Sequence, residues 1–98
     1  MVDFAGSHIV VTGGTGALGR AVIAALTQAL AQETTDEQIW VNAVAPSVLD
    51  TPANRLAMPH ADHHRWVSPA DLADVITFLA SPANRATRGA VIPVYGGS

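Results

Sequence analysis

At 98 residues the chain is long enough for one domain with a small core, burying somewhat over ~60% of the surface its unfolded form would expose. Hydrophobic residues make up 49% and charged residues 13%, which excludes a disordered chain and points to buried sheet or contact between subunits. A net charge of -3 without a single Lys excludes a basic surface for nucleic acid or anionic membrane, and the lack of Cys excludes a disulfide framework or thiol nucleophile. Met1-Val2-Asp3-Phe4 has none of the regions of a signal peptide, and no apolar run approaches the roughly 18 residues of a membrane-spanning helix. A soluble protein of a reducing cytoplasm is expected.

In chain order, His8-Ile9-Val10-Val11 is a continuous apolar run ended by glycines, as in a strand covered on both faces. From Ala17 to about Gln32, Leu18, Val22, Ile23, Leu26, Ala29 and Leu30 recur at helical spacing, while Arg20, Gln28 and Gln32 fall elsewhere. The polar cluster Glu33 to Gln38 predicts a loop, and Ile39 to Ala45, rich in β-branched residues, predicts a second strand that Pro46 stops. The stretch from Pro46 to about Val67 has only short apolar pieces and reads as a long functional loop. Ser68-Pro69-Ala70-Asp71 carries helix-start signals, and Leu72, Val75, Ile76 and Leu79 continue the helix to Ser81. Ala90-Val91-Ile92-Pro93-Val94 reads as a third strand, placed at an edge because Pro93 cannot donate to a ladder. The order β-α-β-loop-α-β predicts a single α/β domain over residues 1–98, with about three parallel strands in a minimal Rossmann-like sheet and right-handed crossovers. Pro-Ala-Asn-Arg occurs at both 52–55 and 82–85, but the flanks differ and two proline-initiated turns account for it.

The chemistry-bearing feature is Thr12-Gly13-Gly14-Thr15-Gly16-Ala17-Leu18-Gly19, which stands between the first strand and the first helix. Gly14-x-Gly16-x-x-Gly19 is a full G-x-G-x-x-G spacing. Its glycines permit a tight turn, let backbone approach a pyrophosphate and pack helix against strand. The helix N-terminus behind it supplies N–H groups and positive partial charge for the phosphate.

These residues resemble the short-chain dehydrogenase/reductase family at both ends of the chain. Asp3 to Gly14 is similar to that family's first strand and glycine loop. Ala17 departs from the common T-G-x-x-x-G-x-G spacing, and Gly13-x-x-Gly16-x-x-Gly19 matches extended or atypical members instead. Ala25 to Glu33 is similar to the end of the family's catalytic helix, and Trp40-Val41-Asn42-Ala43-Val44-Ala45-Pro46 to the strand that follows. Pro46-Ser47-Val48-Leu49-Asp50-Thr51 resembles P-G-x-[IV]-x-T with Ser47 in place of Gly, and Ser68–Ser81 with Arg88–Gly97 resemble the last helix and strand. The resemblance implies an NAD or NADP site at Gly13, Gly14, Thr15, Gly16, Ala17, Leu18 and Gly19. It adds the backbone of Leu49 and the hydroxyl of Thr51 on nicotinamide amide and phosphate.

The same resemblance implies an internal deletion, since the family's N-A-G segment, catalytic Ser and Y-x-x-x-K are not in this sequence. Registering the helix on Ala25-Leu26-Thr27 puts Gly16 at the Tyr position and Arg20 at the Lys position, and Arg stays protonated where Lys would be tuned. Glu33, Asp36 and Glu37 lie near the distance of the ribose-binding acid but precede a strand rather than end one. Tyr95, the one tyrosine, reads as structural. His60, His63 and His64 with Asp62 offer ligand chemistry at a spacing that fits no standard metal site, so they read as solvated loop. His8 reads as a strand-edge residue. Ser47 or Ser68 with a histidine would need a G-x-S-x-G elbow that the sequence lacks.

Two readings follow: a nucleotide-binding module without a dehydrogenase active site, which we favour, and a self-associating structural remnant without a ligand. A redox enzyme comes third. Loss of the intervening strands would set the first strand near an edge, and a second copy covering it predicts a homodimer or higher oligomer.

Overall fold

The computed structural model describes residues 7–12 and 17–97. Its strands form where β-branched residues cluster: His8–Thr12 (β1), Trp40–Pro46 (β2) and Val91–Val94 (β3), in one parallel sheet ordered β1-β2-β3. The register pairs His8 with Trp40 and Thr12 with Val44, then Ala43 with Val91 and Pro46 with Val94. The expected three-stranded parallel sheet is therefore present, with Pro93 on an edge strand. β1 holds the other edge. β2 is flanked on both sides, and Val41 to Ala45 are buried without a break, as in a strand covered on both faces, with Asn42 the one polar side chain among them.

The helix Ala17–Glu33 (α1) packs mainly on β2. The face that it buries differs from the expected one. Thr27 and Ala31, four residues apart, are the buried positions, while Val22 and Leu26 are 56% and 48% exposed and Ala29 is exposed as well. Small side chains at the contact let the helix approach closely, and Gly89 shows how closely. It sits at φ +69°, and a Cβ there would lie 3.3 Å from that of Ala31. At the helix end Thr34 and Thr35 donate side-chain hydroxyls to the carbonyls of Leu30 (2.6 Å) and Ala31 (3.0 Å). Arg88 adds an N–H to Ala31 O at 2.7 Å, so a cation satisfies the carbonyl end of the helix.

The stretch expected to be one long loop holds two short elements, the helix Pro52–Ala57 (α2) and a 3-10 turn at His63–Arg65. The reason is capping. Thr51 accepts from Asn54 N at 3.2 Å with Pro52 opening the helix, and Asp62 accepts from His64 N at 3.2 Å. The helix Pro69–Ala80 (α3) starts as its sequence predicts, with Ser68 accepting from Asp71 N at 3.1 Å. It packs on β1 with a smaller footing on β2, buries Leu79 and leaves Phe78 half exposed.

Two buried asparagines fasten the segment before β3 to the sheet. Asn42, fully buried in β2, donates Nδ2 to Thr87 O (2.8 Å) and accepts from Ala90 N (3.2 Å). Asn84 donates to Leu79 O and Thr87 O and accepts from Thr87 N at 2.9 Å. Removing Asn42 takes the acceptor from the part-buried Ala90 N–H and the donor from Thr87 O, so Asn42→Ala is expected to lower stability by about 2 kcal/mol in urea unfolding. A loss below about 0.5 kcal/mol would show that the fastening contributes little.

Candidate functional site

Because the three strands are parallel, Thr12, Pro46 and Val94 all lie at the carboxyl edge of the sheet. The first turn of α1 stands at that edge too, reached from Thr12 across positions 13–16. Open parallel sheets bind ligands outside their carboxyl ends, and the described elements that flank the expected cofactor residues, β1 with α1 and the segment after β2, open on that edge. Gly13, Gly14, Thr15 and Gly16 lie outside the described residues, as do the side chains of Ala17 and Leu18. Gly19 falls in the first turn of α1.

Leu49 and Thr51 follow the end of β2. Leu49 forms a parallel bridge with Val67, framed by Asp50 N donating to Val67 O (2.8 Å) and Val67 N to Val48 O (3.1 Å). Its carbonyl accepts from Asn54 Nδ2 at 2.8 Å. Thr51 uses one lone pair as the α2 cap and keeps its hydroxyl proton for an incoming acceptor. One hydroxyl donor therefore stands at this edge. Asp50 and Arg55 close the same segment with a two-pronged ion pair at 2.6 and 2.8 Å. The Arg55 hydrogen bond holds the Asp50 carboxyl below its ordinary value of 3.8, with Coulomb attraction adding to it and partial desolvation opposing it.

Sequence reasoning missed a contact. Tyr95, expected to be structural, receives a hydrogen bond at its hydroxyl from Arg20 Nη1 at 3.4 Å, and the guanidinium carbon lies 5.7 Å from the ring centroid. The two residues are 75 apart in the chain, so no local motif signals the pair. Two of the histidines, His63 and His8, pack against tryptophans. His63 Nε2 lies 2.9 Å from the accepting carbonyl of Met58 and its ring packs on Trp66 at 4.5 Å. His8 stacks on Trp40 at 5.5 Å with Nε2 donating to Asn84 O at 3.1 Å. Among the described residues no three His, Asp or Glu side chains converge on a metal-sized site. A cleft of about 260 Å³ lined by Gln28, Ala31, Gln32, Thr35, Arg88 and Gly89 lies at the opposite, amino edge of the sheet.

Residues 2–98 match the family model described as Enoyl-(Acyl carrier protein) reductase. The chain is 36% identical over 90 residues to 3-oxoacyl-[acyl-carrier-protein] reductase FabG of Pseudomonas aeruginosa, aligning 83% of this chain with 36% of that protein. It is 33% identical over 89 residues to 3-oxoacyl-[acyl-carrier-protein] reductase MabA of Mycobacterium bovis, with the same coverage. Among solved structures, a 3-oxoacyl-[acyl-carrier protein] reductase with bound NAD from Brucella melitensis superposes with a TM-score of 0.72 at 29% identity, covering 91% of this chain and 39% of that one. An oxidoreductase of the short-chain dehydrogenase/reductase family from Burkholderia thailandensis gives 0.76 at 28% identity, covering 91% and 43%. The chain belongs to the short-chain dehydrogenase/reductase family. It spans a little over a third of the length of the curated relatives that it matches.

The lowered Asp50 value has a definite sign: the ion pair contributes stability above the unfolded carboxylate's pKa and loses it as pH falls through the folded value. Arg55→Ala is expected to raise the Asp50 midpoint toward 3.8 in an NMR titration. An unchanged midpoint would mean that the pair does not form in solution.

Proposed function

We propose that this chain is an NAD- or NADP-binding module of the short-chain dehydrogenase/reductase fold that lacks a complete dehydrogenase active site. The observation that carries this reading is topological: the start of α1, which follows β1, and the Leu49–Thr51 segment, which follows β2, both leave the carboxyl edge of one parallel sheet. Gly13, Gly14, Thr15, Gly16, Ala17, Leu18 and Gly19 would take the pyrophosphate. Leu49 backbone and Thr51 hydroxyl would take the nicotinamide amide and a phosphate oxygen. The bound NAD of the Brucella melitensis relative supports this assignment by analogy. Catalysis is left out of the reading because the sequence offers no Tyr-x-x-x-Lys. We read the chain as an internally deleted member of the family working in the cytoplasm; among the described residues no helix is long and apolar enough to cross a membrane.

Self-association goes with this reading, because one edge of β1 has no neighbouring strand among the described residues and Val22, Leu26 and Ile9 are substantially exposed. We read the functional particle as a homodimer or higher oligomer. Light scattering should return a multiple of the single-chain mass, and Val10→Lys should yield aggregate or unfolded protein. A well-folded monomeric Val10→Lys variant would refute the edge-covering role.

Calorimetric titration with NADH and then NADPH tests the binding itself. Saturable binding lost in Gly16→Val is expected, with about 2.7 kcal/mol of added stability at one hundred times the dissociation constant. No heat and no stabilisation at millimolar cofactor would leave a folded remnant with self-assembly as its property.

A further inference from the structure

We infer that Arg20, held by Tyr95, is a phosphoryl-binding residue at the carboxyl edge of the sheet. This deepens the proposed nucleotide reading and rests on it for the identity of the ligand.

Tyr95 is the first residue after β3, and its position is fixed from several sides. Its carbonyl accepts from Ser47 Oγ at 3.2 Å, and Ser47 N donates to Val94 O at 3.1 Å. Gly96 then turns the chain at φ +60°, where a Cβ would meet Val67 at 3.3 Å and the carbonyls of Arg65 and Trp66 at 3.4 Å. Arg65 Nε fastens Gly97 O at 3.0 Å. The phenol is thus presented by a braced turn, and it meets Arg20 across the end of β2.

Arg20 differs from Arg55 and Arg88 in how little of its guanidinium is used. Arg55 is neutralised by Asp50, and Arg88 spends both Nη groups on the carbonyls of Ala31 and Ile39 and the Thr35 hydroxyl, while Arg65 gives only its Nε–H, to the Gly97 carbonyl that closes the chain's last turn. Arg20 donates one N–H to Tyr95 and, among the described residues, has no carboxylate partner. A guanidinium carries five N–H donors in a planar fork that matches phosphate oxygens. It also stands in the first turn of α1, which has no acidic residue. A cation there adds to the positive end of the helix dipole instead of offsetting it. A guanidinium without a carboxylate partner among the described residues, standing at the carboxyl edge and oriented by an aromatic ring, suits an anion with several acceptor oxygens.

The test is calorimetry on the full 98-residue chain at low salt, with NADH, NADPH, ADP and inorganic phosphate as probes. Wild type is compared with Arg20→Ala, Arg20→Lys and Tyr95→Phe. Arg20→Ala should weaken dinucleotide binding about tenfold or more. Arg20→Lys should recover part of the loss, and Tyr95→Phe should weaken binding a few-fold, with melting curves unchanged throughout. Dinucleotide binding by Arg20→Ala within twofold of wild type overturns the inference and leaves the nucleotide reading standing. Arg20-dependent binding of ADP or phosphate by a wild type that ignores both dinucleotides sinks that reading and keeps the anion site. Silence toward all four probes overturns both.

Discussion

Burial of β2 is the constraint on which the remaining contacts depend. Val41 to Ala45 are removed from water together, so each main-chain donor and acceptor in that stretch has to be met inside the protein. Parallel neighbours on both sides meet most of them, and Asn42 extends the pattern by supplying a side-chain acceptor to Ala90 N where β3 has not yet begun. α1 packs on the same strand, and the segment after it carries the candidate ligand contacts. The geometry of the candidate site is inherited from this buried strand.

Strand positions, the start of α3 and the edge location of Pro93 were legible because each follows from a local rule: β-branched runs, a Ser-Pro cap, a proline that cannot donate. The buried face of α1 was not legible. Its sequence is apolar around much of the circumference, so periodicity names a helix without saying which stripe meets the sheet. Close packing then selects the small pair Thr27 and Ala31 over the larger Val22 and Leu26. α2 escaped notice although Thr51-Pro52 carries the same start signal as Ser68-Pro69. Its six residues bury nothing, and without an apolar stripe the cap looks like a turn.

For the candidate site the balance is different. The glycine spacing and the Pro46–Thr51 segment were both readable as motifs, and the fold brings their flanking elements to one edge. Arg20 and Tyr95 had no such signal. Their meeting depends on β3 lying beside β2 and on Gly96 redirecting the chain immediately afterwards, which are properties of tertiary structure. A phenol that looks idle in sequence becomes the support of a cation.

The parallel pairing has a kinetic side. His8 meets Trp40 across roughly thirty residues and Ala43 meets Val91 across nearly fifty, so no strand in this sheet pairs with a hairpin neighbour. The loop-closure entropy is spent before burial of β2 returns any of it. Folding is therefore expected to be slow for a chain of this size, and β1 stays unsatisfied on both edges until β2 arrives. The arrangement that gathers the ligand contacts at one edge is also what lengthens the search for it.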